Sequence, residues 1–325
     1  MKKLLLLVLT LLFLCMAGCG SQNGELARGK RLPKELVLAG GQNNGDYGTL
    51  GSDLVSLLNG DGRQPQLKLM GGSGSVANVE LLAEGRAELA FVQSDVAYAA
   101  MNGTDRYAGK AKENLQVLGV LYPETVQIIT YDVTGIRKLE DLRGRTLAVG
   151  AAGSGSAYDA RKVLEAAGIP EDEVRIQYLT IADEVKALKE GTVDAAFVTS
   201  GLPNQAFRDL ARQRQLVLVP IEGQAADDLL EVYPQYRRTV IPVGTYPNQL
   251  LACNSVGMDC LLLATDRLDV NQTRSFLGRL WSHWGELHSK YSFLPADPKQ
   301  SFFKGLELPL APGAEQFAKD QKVSS

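Results

Sequence analysis

Five short segments rich in glycine, serine and asparagine carry the polar groups that could do chemistry in this chain. They are residues 40–48, 71–75, 93–95, 150–156 and 199–204. Glycine lets a backbone approach a ligand closely, and free N–H groups at a helix start favour an anion. Serine hydroxyls add hydrogen-bond donors without a fixed charge. These segments suggest a site for a small polar molecule, with residues 153–156 as a candidate carboxylate cradle.

Each segment taken alone could equally be a tight turn or a helix cap, with Ser156 capping its own helix. A nucleotide site is not favoured. The chain contains neither a complete P-loop nor a G-x-G-x-x-G motif. The Gly-Ser-Gly-Ser tetrapeptides at 72–75 and 153–156 lack the Lys-Ser/Thr ending of a P-loop.

The residue types that support catalysis or metal binding are scarce. The chain has two histidines, His283 and His288, and neither lies near Ser154 or Ser156 in sequence. No Cys/His/Asp/Glu group has the spacing of a metal site. The net charge of −3 gives no basic excess for nucleic acid. We therefore predict a binding protein that is not an enzyme, with no cofactor, no metal and no nucleic-acid partner.

The elements that must position these segments repeat along the chain. The predicted strands are 35–39, 66–70 and 88–93, then 145–149, 174–179 and 193–199. Helical patterns follow the loops. The Gly-Ser-Gly-Ser tetrapeptide occurs once in each half, and Gly85, Phe91, Val92 and Ser94 recur 106 residues later. The sequence predicts an α/β protein of two related βαβαβ lobes with parallel sheets.

Two long apolar stretches, 117–131 and 256–265, look like crossings between the lobes. Two crossings give a hinge and an interlobe cleft. Ligands of open α/β sheets bind beyond the carboxyl ends of the strands, where the five segments fall. The predicted domains are 35–128 with 252–312 as lobe 1, 129–251 as lobe 2, and 313–325 as a flexible tail. An amphipathic helix is predicted over 270–288.

The N-terminus carries an export signal. Lys2 and Lys3 precede an apolar run from Leu4 to Leu14, which is too short to span a bilayer. A membrane anchor helix is the alternative. The run ends in Met16-Ala17-Gly18-Cys19, which resembles a bacterial lipoprotein box. This resemblance implies a signal peptide over 1–18, lipidation of Cys19, a tether over 19–34, and a location in the periplasm or on the outer face of the cell membrane.

Two cysteines remain after the signal peptide and the lipid anchor are set aside. Cys253 and Cys260 would then lie in an oxidising compartment, where one disulfide could join them. Two buried free thiols are the alternative.

Several motifs, in one order, resemble the TAXI receptors, the substrate-binding proteins of TRAP (tripartite ATP-independent periplasmic) transporters. The motifs are residues 89–98, 121–124, 149–156, 191–197, 201–204 and 241–247. The resemblance covers about Leu36 to Leu294. It implies a type II periplasmic-binding-protein fold that closes on a small organic anion or a glutamate-like amino acid. It also implies delivery to an ion-gradient-driven membrane permease by a monomeric receptor.

The resemblance further implies which residues bind the ligand. They are Asn44, Tyr47, Ser73, Ser75, Gln93 and Ser94 in lobe 1, Ser154, Ser156, Ser200 and Asn204 in lobe 2, and Tyr246 closing over the cleft. The chain departs from the family at Asp46, where an aromatic residue is usual nearby, and at Asp159. These acids could meet a ligand ammonium and favour an amino acid over a dicarboxylate, or they could simply stabilise helix N-termini.

Two rival functions share this fold. A ligand sensor would feed a membrane signalling partner, and its gene would neighbour a histidine kinase gene. An enzyme on the same fold would turn over the molecule that it binds.

Overall fold

The computed structural model describes residues 35–323. The predicted signal peptide, the lipidation site at Cys19 and the tether over 19–34 lie outside the described residues. Within that described range, no helix is both long enough and apolar enough to cross a membrane.

The described residues form a mixed sheet flanked by helices. The strands are β1 (Glu35–Ala39), β2 (Gln66–Met70), β3 (Leu89–Gln93), β4 (Leu115–Tyr131), β5 (Thr146–Ala148), β6 (Arg175–Gln177), β7 (Ala195–Ser200), β8 (Leu216–Val219), β9 (Arg237–Ile241) and β10 (Cys253–Thr265). The helices are α1 (Asp46–Gly60), α2 (Ser75–Ala83), α3 (Ser94–Asn102), α4 (Gly155–Ala166), α5 (Ile181–Glu190), α6 (Gln205–Ala211), α7 (Gly223–Val232), α8 (Val270–Ser282), α9 (Trp284–Lys290) and α10 (Pro312–Asp320).

The same parallel arrangement occurs twice. In the first unit (residues 35–102) the strand order is β2-β1-β3, and in the second unit (residues 146–211) it is β6-β5-β7. All four of these pairings are parallel. This confirms the predicted repeat of a βαβαβ unit. Leucines 50, 54 and 58 are buried on one face of α1, as their helical spacing predicts.

Two long antiparallel strands join the units into one sheet. The order across the centre is β3-β10-β4-β7, so β4 and β10 lie between the two units. β4 pairs with β10 through its first part and with β7 and β8 through its last part. Its residues are buried on both faces except at Gln116 and Pro123, which explains why this stretch of the sequence is mostly apolar. The lobe boundaries at 128/129 and 251/252 stay a prediction.

The C-terminal segment is folded, so the predicted flexible tail is wrong for most of its length. Residues 312–320 form α10, which packs on α8. Phe317 is buried, and its ring meets Trp281 edge-on with centroids 5.1 Å apart. The alternation of Ala314, Phe317 and Ala318 with charged residues is an amphipathic pattern that gives this helix an apolar face. The predicted helix over 270–288 is present but is divided at His283 into α8 and α9.

The disulfide between Cys253 and Cys260 does not fit the structure. Both residues lie on β10, seven positions apart, and both are buried free thiols. At about 3.3 Å per residue their Cα atoms are roughly 20 Å apart, whereas a disulfide needs less than about 7 Å. The alternative of two buried thiols therefore holds.

Candidate functional site

A small cavity lies at the carboxyl ends of the strands of both units, where the sequence places it. It is lined by Gly41, Gln42, Gly45, Asp46, Tyr47, Ser73, Gly74, Ser75, Gln93, Glu124, Gly150, Ser154, Gly155, Ser156, Ile181, Glu184, Thr199, Ser200 and Asn204. Its volume is about 60 Å³. A buried water needs about 10–15 Å³ on this measure. The cavity in this closed arrangement therefore has room for a few water molecules or a compact small ligand.

Most of the ligand-binding residues implied by the resemblance line this cavity. They are Tyr47, Ser73, Ser75, Gln93, Ser154, Ser156, Ser200 and Asn204. The structure places the other three elsewhere. Asn44 is exposed on the loop before α1. Ser94 turns away and accepts a hydrogen bond from Asp259 N at 3.2 Å.

Tyr246 acts through a neighbour instead of lining the cavity. Its hydroxyl oxygen accepts a hydrogen bond from Asn204 N at 3.1 Å and its proton goes to Gln127 Oε1. The ring is fully buried. Tyr246 therefore holds the start of α6, and with it the side chain of Asn204, against the cavity.

Ser154 and Ser156, at the start of α4, make different hydrogen bonds. Ser154 caps α4, because its Oγ accepts from Ala157 N at 3.0 Å. Ser156 Oγ accepts from Thr199 N at 2.9 Å and so ties α4 to β7. The idea that Ser156 caps its own helix is wrong, since Ser154 is the capping residue. α1, α2, α4 and α5 all begin at residues that line the cavity, which gives this cavity partly positive helix ends.

A chain of hydrogen bonds links the polar groups of the first unit. Tyr47 Oη donates to Glu124 Oε2 at 3.0 Å and lies 3.3 Å from Ser75 Oγ. Ser75 Oγ donates to Gln93 Oε1 and accepts from Gln93 N, both at 3.1 Å. Side chains from α1, α2, β3 and β4 are thus fixed in one network.

Direct contacts between the two units close the cavity. Gln93 Nε2 donates to Asp159 Oδ2 at 2.7 Å, and Gly201 N donates to Asp46 Oδ2 at 2.9 Å. Ile181 N donates to Gln42 Oε1 at 2.8 Å. Each bond has one partner in each unit, so separating the units would break all three.

The charged side chains that line the cavity are acidic. They are Asp46, Glu124 and Glu184, and none of the lining residues within 35–323 is Lys or Arg. Burial raises the pKa of Asp46 to about 7, against the opposing effect of the Gly201 N–H. Burial and then the Asp46 carboxyl raise the pKa of Glu124 well above its usual range. Burial also raises the pKa of Glu184 well above its usual range, partly offset by the hydrogen bond from Gly150 N.

The sequence reasoning missed Glu124 and Glu184 as site residues. Glu124 follows Pro123 inside a long, mostly apolar stretch. A single acid in such a stretch was the sequence signal that could have identified it as a site residue. Glu184 sits in the first turns of a polar helix, where an acid is ordinary.

Asp159 does not line the cavity. It is fully buried behind the wall, where Thr199 Oγ1 donates to its Oδ2 at 2.6 Å and Tyr236 Oη donates to its Oδ1. Burial, and then the charge of Asp95, raise its pKa well above the ordinary value. Asp159 therefore supports Gln93 and Thr199, and the idea that it meets a ligand ammonium does not fit.

The described residues contain no group of three or more His, Cys, Asp or Glu side chains that could hold a metal ion. His283 and His288 lie outside the lining and bond to Glu286 and to the Leu294 carbonyl.

Comparison with known protein families identifies the family of this chain. Residues 38–321 match the NMT1-like family, and this match covers most of the sequence. The chain belongs to the NMT1-like family. Its members include periplasmic solute-binding proteins with the fold of transporter substrate-binding proteins. The fold of this NMT1-like protein is the type II periplasmic-binding-protein fold, which confirms the prediction.

One solved structure shares its fold with the chain at low sequence identity, and two others are similar to it at lower TM-scores. A protein from Bordetella bronchiseptica RB50 matches with a TM-score of 0.51 at 14% identity, covering 88% of this chain and 89% of that one. The aliphatic sulphonate-binding protein SsuA from Escherichia coli has a TM-score of 0.45 at 18% identity, with 81% and 76% covered. The alkanesulfonate-binding SsuA from Xanthomonas axonopodis pv. citri, bound to MOPS, has a TM-score of 0.47 at 16% identity, with 91% and 96% covered.

Proposed function

We propose that this NMT1-like protein is an extracytoplasmic receptor that captures a small organic anion or amino acid and delivers it to a TRAP-type permease driven by an ion gradient. The observation that carries the proposal is the cavity between the two units, lined by hydroxyl, amide and backbone groups and closed by hydrogen bonds from both sides. The TAXI motifs in the sequence support the TRAP partner and a glutamate-like ligand.

The lining favours binding without turnover. Serines 73, 75, 154, 156 and 200 line the cavity, and none of them has a histidine partner within the described residues. An unassisted serine hydroxyl is a poor nucleophile but a good hydrogen-bond partner. We therefore assign these groups to ligand recognition, and propose that the protein is not an enzyme.

Export and anchoring complete the proposal. A lipid on Cys19 would hold the folded part, from residue 35 onward, close to a membrane through the short tether. β4 and β10 cross between the proposed lobes, 35–128 with 252–312 and 129–251, and would serve as the hinge.

Identification of a co-purifying molecule tests the function directly. Native mass spectrometry of the exported protein is expected to show a small molecule that leaves on denaturation. Millimolar amino acids, keto acids and dicarboxylates should then be screened by thermal shift, where the true ligand class raises the melting temperature by mass action. An empty cavity together with no shift from any of these compounds contradicts the proposal.

Transport itself needs a separate experiment. Proteoliposomes that hold the permease encoded beside this gene are expected to take up the ligand only with an ion gradient and the receptor present. Uptake that needs ATP, or a gene neighbour that encodes a histidine kinase instead of a permease, counts against the TRAP partner.

A further inference from the structure

We propose that the carboxyl groups of Asp46, Glu124 and Glu184 receive an ammonium group of the ligand, so that the cavity selects amino acids over keto acids and dicarboxylates. This inference rests on the proposed binding function and names the group that decides between its two ligand classes.

The first support is the charge of the lining. The three acids come from α1, β4 and α5, so they approach one small cavity from both units and from the strand between them. A dicarboxylate would find no lysine or arginine to pair with, because none lines this cavity in the described range, and its charge would keep the three acids from ionising. An ammonium is the complementary group, since buried charges are tolerated when they are paired.

The second support is an unpartnered acceptor. Glu184 is fully buried, and its Oε1 accepts from Gly150 N at 2.6 Å. Within the described chain its Oε2 is buried and has no hydrogen-bond partner. A buried acceptor left without a donor destabilises the ligand-free protein. A ligand N–H group in the cavity would supply the missing donor.

The third support is the acceptor capacity of the other two acids. Asp46 accepts one backbone hydrogen bond, from Gly201 N, and Glu124 accepts one from Tyr47. Each carboxylate has about four acceptor sites, so both have capacity for a ligand donor. The helix starts at Ser75 and Gly155 remain for the ligand carboxylate, which gives the cavity complementary ends for a zwitterion.

Proton release follows from this arrangement. In the ligand-free cavity burial favours the protonated forms of these acids by raising their pKa values. An incoming ammonium favours the ionised forms, so binding should expel protons and tighten as pH rises. The other titratable groups around these acids are Tyr47 on α1, Asp95 on α3, Tyr122 on β4, Asp159 and Lys162 on α4, Tyr246 before β10 and Cys260 on β10.

Matched ligand pairs test the inference. Alanine and pyruvate, leucine and its keto acid, and glutamate and 2-oxoglutarate differ at one carbon, which carries an ammonium in one member and a carbonyl in the other. By isothermal titration, at least one pair is expected to bind with the amine at least tenfold tighter. The affinity of that amine should rise between about pH 5.5 and about pH 8, with proton release detected in buffers of different ionisation enthalpy.

Conservative variants locate the effect. Asp46→Asn and Glu184→Gln keep an oxygen that can accept the Gly201 or Gly150 N–H, so each is expected to fold and to lose at least tenfold in amine affinity. Glu231→Gln, an exposed acid on α7, is the matched control and should bind normally. Keto acids that bind as tightly as the amines, or an affinity that rises with falling pH, overturn the inference while leaving the binding function intact. If no compound binds and no molecule co-purifies, the proposed function fails and this inference fails with it.

Discussion

Gln93 Oε1 lies where a side chain on Gly155 would begin. A Cβ built on Gly155 would stand 1.2 Å from that oxygen, because the start of α4 packs directly on the end of β3. The same Gln93 side chain donates to Asp159 and accepts from Ser75. The closed arrangement of the two units therefore depends on a glycine at this position.

Gly155→Ala should weaken both closure and ligand binding. The added methyl group forces Gln93 out of its bonds to Ser75 and Asp159, and overpacking of this kind costs about 1–3 kcal/mol. Urea unfolding and ligand titration measure the two effects. Gly285→Ala is the control, because nothing lies within 4 Å of a Cβ there. Equal stability and affinity of the two variants would contradict this account.

Lys162→Met should destabilise the fold by about 3–5 kcal/mol, because it leaves a buried carboxylate without its partner. Lys162 Nζ lies 3.2 Å from Asp95 Oδ2, and both side chains are almost fully buried. The ammonium also sits 4.0 Å from the ring centroids of Tyr158 and Tyr233. Thermal or urea unfolding measures the loss.

Lys186→Met serves as the comparison for that variant. Lys186 pairs with Glu190 one helical turn away at 4.0 Å, with both side chains more than half exposed. Such pairs contribute about 0.5 kcal/mol or less. A Lys162→Met variant no less stable than Lys186→Met would show that the buried pair is unimportant.

The ligand-free protein should lose stability as pH rises through the range in which Asp46 ionises. Its pKa is about 7 in the folded chain and 3.8 in the ordinary state. The folded state therefore holds more protons between these values, and the stability from this group is complete below about pH 4 and lost above about pH 7. Glu124 and Glu184, whose pKa values are also raised by burial, act in the same direction.

Asp46→Asn isolates this effect. The variant is expected to show a flatter dependence of melting temperature on pH between about 5 and about 8, and to be the more stable protein at the upper end. A wild-type protein whose stability rises across that range would show that Asp46 is ionised and paired in the empty cavity.

Both cysteines of the folded part should be unreactive until the chain unfolds. Cys253 and Cys260 are buried, and burial raises the pKa of the Cys253 thiol to about 11. A thiol reagent needs the exposed thiolate. Protein expressed from Gly20 onward is expected to show two reactive thiols in denaturant and almost none before it. If no reactive thiols were found in denaturant without reductant, the two cysteines would be joined by a disulfide and this account would be wrong.

Local sequence signals were enough for the repeated units. Strands of about five residues that run into Gly-Ser loops placed β1, β2 and β3 almost to the residue, and the echo 106 residues later gave the second unit. The cavity followed, because parallel strands end at one edge of a sheet.

Local sequence signals could not predict contacts between residues that are far apart in the chain. Glu124 became a site residue because it meets Tyr47, 77 positions away. Asp159 does not belong to the site because it is buried behind the cavity wall, where it accepts hydrogen bonds from Tyr236 and Thr199. The burial of α10 on α8 and the extended path from Cys253 to Cys260 likewise depend on tertiary packing, which no local spacing reports.

The position of β10 sets an order for folding. It is the last strand in the chain, yet it lies between β3 and β4 in the middle of the sheet. During synthesis the N-terminal residues emerge first, so β3 and β4 each keep an unpaired edge while more than a hundred further residues arrive. The second unit lies wholly within that interval and can fold first. Unpaired strand edges invite aggregation, so this protein should need a holding chaperone most in the period before residue 253 is delivered.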